Sequence, residues 1–600
     1  MIMHKTNPFD SSRFVGYLSK VSPISCDFHF PKYDLVNKFS HYGQELSGGI
    51  VGSFVVIEGE NHGFLGKINE IQIPTKDQVF LNEKNLGNSD IHPIGQIELL
   101  ISFNYFDRKI NKGIDQFPQI GSKVYLSSPE FLKEVFESFV NKDNSIENLF
   151  EMATLKNGNG ATISLNPESI FGRHCAVIGT TGGGKSFTIT NLLEELIRNK
   201  GKAILFDATG EYKTLSEKYV DSIDSYTFIP EVVVSPAIAD KKISLHYTNL
   251  NIEDLFLMLN PSEQTQKPLL LEAIKSLKLL EVINSTEKTT LNLKNDTLVK
   301  LESLKKPVRT LMNKYSDQVN SSIAKFDFTK LISQINNECV YQTGYTDKQP
   351  DVNKWGGVDL KMKDYAVSLM LRISSLLSGD TGKLNSELFG MGEILDPNIN
   401  VKDIIENFMI SDKNILRISF ENVPFESNIR EVLVNAIGRM LLNKSRKGEF
   451  KETPVILFID EAHQFINKTV FSESAGSSSL TAFDNIAKEC RKLGLYLCLS
   501  TQMPKDIPIG TLSQIGTFFV HRIISENDRN IIEKATANIN KAALSYLPIL
   551  SAGEVLVVSV DLPMPIILKI NEPKVKPDSE TPFKKMFKGN LINNLEDLQE

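Results

Sequence analysis

Short apolar stretches broken by glycine and asparagine dominate the first 150 positions. The run Phe54-Val55-Val56-Ile57-Glu58 is followed by the turn-like Gly59-Glu60-Asn61-His62-Gly63, and Phe64-Leu65-Gly66-Lys67-Ile68 returns. β-Branched and aromatic runs separated in this way predict a hairpin. Segments 97–106 and 123–126 add strands, so a small β-barrel is expected over 1–150 rather than a sandwich. From about residue 165 the pattern changes to continuous apolar runs separated by amphipathic stretches. The runs fall at 176–178, 203–206, 415–420, 455–459, 496–499 and 518–520. Continuous apolar strands between helices imply a sheet covered on both faces, hence α/β.

Residues 251–390 interrupt this alternation. Leu270, Ile274, Leu277 and Leu280 recur at helical spacing, as do Ala366, Leu369, Met370, Ile373 and Leu377. The spacing predicts a mostly helical insertion, with a polar loop at 284–296. Beyond Lys574 the chain is charged and contains proline, which predicts a tail.

Composition narrows the class without naming a function. Of 600 residues, 41% are hydrophobic and 23% charged, which excludes collagenous, disordered and disulfide-scaffold chains. The formal charge of −7 comes from 66 basic and 73 acidic residues. Any contact with nucleic acid must therefore come from a local concentration of basic groups. Lys444, Arg446, Lys447 and Lys451 form one such group, and the same residues fit equally a solvated loop beside a helix C-terminus. The five cysteines show no CxxC spacing and are expected as free thiols. The first residues lack the apolar stretch of a signal peptide, and no run reaches membrane-span length. A cytoplasmic protein with no membrane association is expected.

The sharpest local pattern is Gly179-Thr180-Thr181-Gly182-Gly183-Gly184-Lys185-Ser186, which fits G-x-x-x-x-G-K-[ST]. A strand enters it and an amphipathic helix leaves it. Glycines let backbone N–H groups wrap phosphates, and the helix N-terminus adds positive potential. Gly179, Thr181, Gly182, Gly183, Gly184, Lys185, Ser186 and Phe187 are the candidate nucleotide-binding residues. Lys185 is expected on the β- and γ-phosphates of ATP and Ser186 on Mg²⁺. The apolar run 455–459 ends in Asp460-Glu461. Asp460 suits the metal shell, and Glu461 suits the general base that polarises water.

Other positions are open on spacing alone. Gln502, after the 496–499 strand, suits a γ-phosphate sensor or a surface loop. Asp207 and Glu211 follow the 203–206 strand and suit either a ligand crevice or a capping turn. Arg173 and Arg491 suit solvated charges, although Arg491 could also act as an arginine finger.

Four segments together resemble the HerA–FtsK branch of P-loop motor ATPases, and HerA in particular. They are GRHCAVIGTTGGGKS, LFDATGEY, VILFIDEAHQF and AKECRKLGLYLCLSTQMPKDIP. The hairpin pattern VGSFVVIEGENHGFLGKINEI is similar to the HAS-type barrel preceding that motor. Gly183 stands where many members carry Ser, and Met503 where many carry Arg.

The resemblance implies a RecA-like P-loop motor with an N-terminal β-barrel and a helical insertion. The expected divisions are 1–150 for the barrel, 151–250 and 391–573 for the two parts of the ATPase core, 251–390 for the insertion and 574–600 for the tail. It implies an ATP- and Mg²⁺-dependent homohexamer that translocates double-stranded DNA. It also implies a partner, either a NurA-type nuclease or a sirtuin-like or nuclease effector of anti-phage defence. An ATPase scaffold that switches a partner enzyme without processive translocation is the alternative. By motif, Asp460 becomes the metal-side acid, Glu461 the catalytic base and Gln502 the sensor. Arg173 becomes a cis arginine, Arg491 a finger reaching the neighbour's ATP, and Asp207 and Glu211 the family's acidic turn.

Overall fold

The computed structural model describes residues 7–578 except 24, 37, 42–43, 49, 75–91, 106–109, 112, 115, 141–147, 159, 229–239, 322–324, 379–387, 391–398, 424–427, 467–468, 473–475, 537–538 and 540. Most of the expected tail at 574–600 therefore lies outside the described residues.

Six antiparallel strands close the N-terminal barrel: β1 (Phe14–Val21), β2 (Ser25–His29), β3 (Phe54–Glu58), β4 (His62–Gln72), β5 (Ile94–Asn104) and β6 (Lys123–Leu126). Their order is β2-β1-β6-β3-β4-β5, and β5 pairs back onto β2. The expected hairpin is β3–β4, with Phe54 opposite Lys67 and Ile57 opposite Phe64. Val15, Phe28, Val55, Ile57, Phe64, Ile97 and Val124 fill the interior. Helix α1 (Pro129–Val140) then follows in a region where the sequence suggested only strands. Its Phe131, Leu132, Val135 and Phe136 are buried at i, i+1, i+4 and i+5 spacing, the period of a single helical face.

Eleven of the later strands are used below, given in chain order. They are β7 (Phe150–Leu155), β8 (Thr162–Leu165), β9 (Cys175–Ile178), β10 (Lys202–Asp207), β11 (Ile223–Thr227) and β12 (Ile415–Ser419). β13 (Val455–Ile459), β14 (Leu495–Thr501), β15 (Thr517–Val520), β16 (Glu554–Ser559) and β17 (Ile566–Ile570) complete them. The helices used below are α2 (Lys185–Arg198), α3 (Ile252–Leu259), α4 (Gln266–Val282), α5 (Lys305–Lys314) and α6 (Leu331–Glu338). To these are added α7 (Leu360–Leu377), α8 (Ile429–Arg446) and α9 (Ala482–Glu489).

The chain forms two compact units, Met1–Gly201 with Leu497–Pro577, and Lys202–Tyr496 with Asp578–Glu600. In the first, the strand order is β8-β7-β17-β16-β15-β9-β14. β9 is parallel to both β14 and β15, while the strands beyond β15 are antiparallel. In the second, β13-β10-β12-β11 are all parallel. The parallel strands Cys175–Ile178 and Val455–Ile459 are wholly apolar and buried along their full length, as expected where helices cover both faces.

The insertion is helical, as the spacing predicts, and belongs to the second unit. Leu270, Ile274 and Leu277 of α4 and Ala366, Leu369 and Ile373 of α7 are buried. The expected loop at 284–296 is instead locally ordered. The Asn284 side chain accepts from the Glu287 amide at 2.8 Å, and Glu287 reaches back to the Asn284 amide at 3.3 Å. This reciprocal capping box starts the turn Ser285–Lys288. Glu287 also accepts from Lys314 and Tyr315, tying the turn to the end of α5. Leu293–Lys294 then pairs with Thr297–Leu298.

Candidate functional site

In the first unit, β9 delivers the chain into the glycine loop and α2 carries it away. Two positions in the loop require a left-handed backbone, Gly182 at φ 75° and Gly184 at φ 109°, where a side chain is strained. Gly183 has no such φ, but a Cβ there would lie 3.0 Å from Thr180 O and 3.4 Å from the His521 Cβ. The loop is tied to its neighbours through the backbone. Gly179 N–H donates to Thr501 O at 3.2 Å, and Gly553 N–H to Gly183 O at 3.2 Å. Lys185 opens α2, is 8% exposed, and folds its Nζ back onto Gly179 O at 3.0 Å. Ser186 and Phe187 follow, both half-buried.

Two residues that the sequence reading did not single out hold this loop. His521 lies beneath it, and a Cβ on Gly179 would sit 2.5 Å from the His521 Cβ. His521 Nδ1 is 3.0 Å from the Glu554 carbonyl and Nε2 is 2.9 Å from Thr188 Oγ1. A carbonyl only accepts, so Nδ1 carries the proton and Nε2 accepts the Thr188 hydroxyl. Burial, and then the Lys185 charge, push the ring down to about 4, so it is neutral near pH 7. His174 is the second. It is buried in a left-handed turn at φ 61°, and its Nδ1 accepts from Leu497 N–H at 3.0 Å. It sets the position of Arg173, whose carbonyl accepts from Gly516 N–H at 2.6 Å while its side chain is exposed. Gln502, just past β14, accepts from the Thr181 hydroxyl at 2.6 Å through Oε1. The structure thus brings Gln502 onto the glycine loop.

The second unit gathers the carboxylates. β13 ends at Asp460, whose N–H donates to Phe206 O at 3.0 Å. Glu461 adopts φ 45° and ψ 48°, a left-handed conformation unusual for a glutamate, and its Oε2 lies 3.2 Å from His463 Nδ1. Such strain concentrates where a side chain must be aimed. Tyr212 is fully buried among Asp460, Glu211, Asp207 and Glu461. Burial first, and then these charges, raise its phenol well above the ordinary value. Its hydroxyl finds no hydrogen-bond partner among the described residues.

Asp207 is engaged by the protein itself. It accepts from Gly210 N–H at 2.8 Å, Tyr212 N–H at 3.2 Å and Arg417 Nε at 2.8 Å. Arg417, fully buried in β12, also reaches Asp240 at 2.9 Å. The sequence signal for it was a lone arginine inside an apolar strand. Asp207 thus shapes the turn that carries Glu211, and Arg430 adds a bond to Ala208 O.

Arg491 sits on the exposed turn Cys490–Leu493 after α9. Gly494 ends that turn at φ 82°, and a Cβ there would lie 2.0 Å from Phe450 O. Of the four basic residues at the end of α8, Lys444 pairs with Glu406 at 3.0 Å and Glu449 at 2.8 Å. Arg446 is held by both oxygens of Glu489 at 2.9 Å. Lys447 and Lys451 are exposed. Met503 is also exposed.

The two expected metal-side residues, one in each unit, each have the chemistry magnesium takes. Ser186 and Asp460 are hard oxygen donors of the kind Mg²⁺ takes. Among the described residues no three His, Cys, Asp or Glu side chains form a metal site of their own. All five cysteines are free and buried, and no helix among the described residues is long and apolar enough to cross a membrane.

Comparison with known proteins agrees with the motifs. Residues 150–373 match the family described as "Helicase HerA, central domain", a span that includes the glycine loop and most of the helical insertion. A probable helicase of Methanocaldococcus jannaschii is 26% identical over 76% of this chain and 74% of its own. A "DNA double-strand break repair helicase HerA" of Saccharolobus solfataricus is 22% identical over 91% of this chain and 90% of its own. Among solved structures, VirB4 of Thermoanaerobacter pseudethanolicus aligns at TM-score 0.40 and 13% identity, covering 71% of this chain and 97% of its own. The chain is therefore similar to the HerA helicases, and over residues 150–373 to their central domain.

Proposed function

We propose that this protein is an ATP-driven motor that moves double-stranded DNA, working as a homohexamer beside a partner nuclease or defence effector. The observation that carries the ATP half is the Lys185 ammonium held inside its own loop, 3.0 Å from Gly179 O, at the N-terminus of α2. The DNA half is supported by relatives whose names are helicases, one of them aligned over nine-tenths of both chains.

In this reading the loop amides and the α2 N-terminus hold the phosphates, and Lys185 leaves Gly179 O for the β- and γ-phosphates. Thr181 holds Gln502 where its amide meets the γ-phosphate or the attacking water. Glu461 takes the proton from that water. Asp207 and its ion pairs fix the turn that presents Glu211. Ser186 and Asp460 would hold Mg²⁺, which neutralises phosphate charge when bound. Arg173 acts within its own subunit and Arg491 on the neighbour's nucleotide. Lys444 and Arg446 are already paired, so DNA contact from this group falls to Lys447 and Lys451.

The test is ATP hydrolysis with and without linear duplex DNA, in the wild-type protein and in Lys185→Ala. DNA should raise the wild-type rate, and Lys185→Ala should remove both basal and stimulated hydrolysis. Hydrolysis that ignores DNA but responds to a co-purified enzyme would replace the motor by a scaffold that switches that enzyme. Wild-type hydrolysis in Lys185→Ala would sink both readings.

A further inference from the structure

The helical insertion encloses a cavity of about 580 Å³ whose wall carries more positive charge than the protein neutralises. Four cations line it, Lys275, Lys300, Lys305 and Arg309, with two carboxylates, Glu272 and Glu338. Glu272 pairs with Lys275 at 3.3 Å. Glu338 is buried against Lys300 and also accepts from Ser276 at 2.7 Å and Gln334 at 2.8 Å. Both carboxylates are thereby used.

Lys305 and Arg309 remain, four residues apart on α5 and so on one face of the helix. Lys305 is 6% exposed, and its ammonium donates to the Gln342 carbonyl. Burial first, and then the Arg309 charge, lower its affinity for the proton, while Asp351 acts in the opposite direction. Asp351 is itself occupied by Thr346 and the Asn353 amide, both at 2.9 Å. Arg309 makes no ion pair among the described residues. The Lys305 ammonium is buried with no carboxylate bonded to it, which is costly unless an anion joins it, and the exposed Arg309 guanidinium stands at the mouth on the same helix face.

The rest of the wall mixes polar side chains, among them Gln264, Asn313 and Asn320, with an apolar group. Leu269, Val308, Met312 and Val319 line it together with Trp355, which is 7% exposed. Lys300 sits 5.3 Å from the centre of the Trp355 ring. The volume falls in the range of small-molecule sites, which combine an apolar lining with a few fixed polar groups.

We propose that this cavity binds a small organic phosphate, with the phosphate on Lys305 and Arg309 and an apolar or aromatic body against Trp355 and Val308. A guanidinium fork with a neighbouring ammonium matches phosphate oxygens in geometry and charge. The site is separate from the glycine loop and does not depend on the motor reading.

The chain contains a single tryptophan, so intrinsic tryptophan fluorescence of the full-length protein reports on this cavity alone. Phenyl phosphate, inorganic phosphate, benzoate and phenol serve as probes, in the wild type, Arg309→Ala and Lys305→Met. Phenyl phosphate should change the emission saturably and inorganic phosphate should compete. Arg309→Ala and Lys305→Met should each weaken binding by about tenfold or more, the loss of a charge-assisted contact. Phenol should not saturate. Arg309 is exposed, so Arg309→Ala should keep the wild-type thermal midpoint and basal ATP hydrolysis, which separates lost binding from lost folding. Three results would overturn the proposal: no saturable response to phenyl phosphate, an equal response in Arg309→Ala, or preferential binding of benzoate or phenol.

Discussion

At the scale of single residues, His521 has the clearest consequence for stability. In the folded protein it holds its proton only below about pH 4, against an ordinary value of 6.5. The unfolded chain therefore binds more protons between these values. Stability is complete above about pH 6.5 and is lost as pH falls towards 4, by at most on the order of 3 kcal/mol. The urea midpoint of the wild type should fall further between pH 7 and pH 4.5 than that of His521→Gln, which has no ring to protonate. Equal falls would show that the ring titrates freely. The same residue shows what the sequence could not reveal. The glycine loop is legible because its chemistry is contiguous, from Gly179 to Ser186. His521 meets Thr188 across 333 positions, and Arg417 meets Asp207 across 210. No local spacing encodes such pairs. Tyr212 lay inside a motif already noticed, but only the fold reveals that its phenol is enclosed by the motif's acids.

Elements were legible where burial dictates a period. Strand β13 needed no correction because an apolar run between polar flanks admits one reading. Helix α1 was missed because its six Phe, Leu and Val residues, spread among Glu, Lys and Ser, follow directly on a region of short apolar strands. The ordered turn at 284–296 was missed because a capping box lies in side-chain reciprocity rather than in hydropathy. The barrel carries a prediction at this scale. Its strands cross where aromatic rings lie over glycines. A Cβ on Gly63 would be 2.1 Å from the Phe103 ring, and one on Gly95 would be 2.2 Å from the Phe28 ring. Both rings are buried, so neither can move aside without opening the core. Gly95→Ala should therefore destabilise the barrel by about 1–3 kcal/mol, the usual cost of overpacking. Gly121→Ala is the reference, a turn position at φ 88° where a Cβ meets nothing within 4 Å, so it isolates backbone strain from overpacking. Denaturant unfolding followed through the barrel should rank Gly95→Ala below Gly121→Ala. The reverse order would mean that the rings give way.

At the scale of the whole molecule, the distinction that matters is between a ring motor and a self-contained ATPase. Glu461 follows Asp460 directly and belongs to the same subunit's chemistry. Arg491 is exposed on its own turn, fixed by Gly494 against Phe450 O, and in the proposed ring it acts on another copy. A guanidinium supplied to the γ-phosphoryl oxygens raises rates by roughly 10³–10⁵ in systems that use one. Arg491→Ala should fold, bind ATP and hydrolyse it poorly. Glu461→Ala should bind ATP without turnover and suppress wild-type subunits when mixed with them. The decisive measurement mixes Arg491→Ala with Lys185→Ala subunits, the first weakly active and the second inactive alone, and looks for hydrolysis above their sum. A finger acting across the interface restores some hydrolysis, because some interfaces then join an intact Lys185 to a neighbour's intact Arg491. A finger acting within its own subunit restores none, since every subunit still lacks one of the two. Mass measurement of the same sample must show mixed oligomers. Mixed oligomers without recovery would place Arg491 in its own subunit, and full-rate hydrolysis by a monomer would remove the ring from the mechanism altogether.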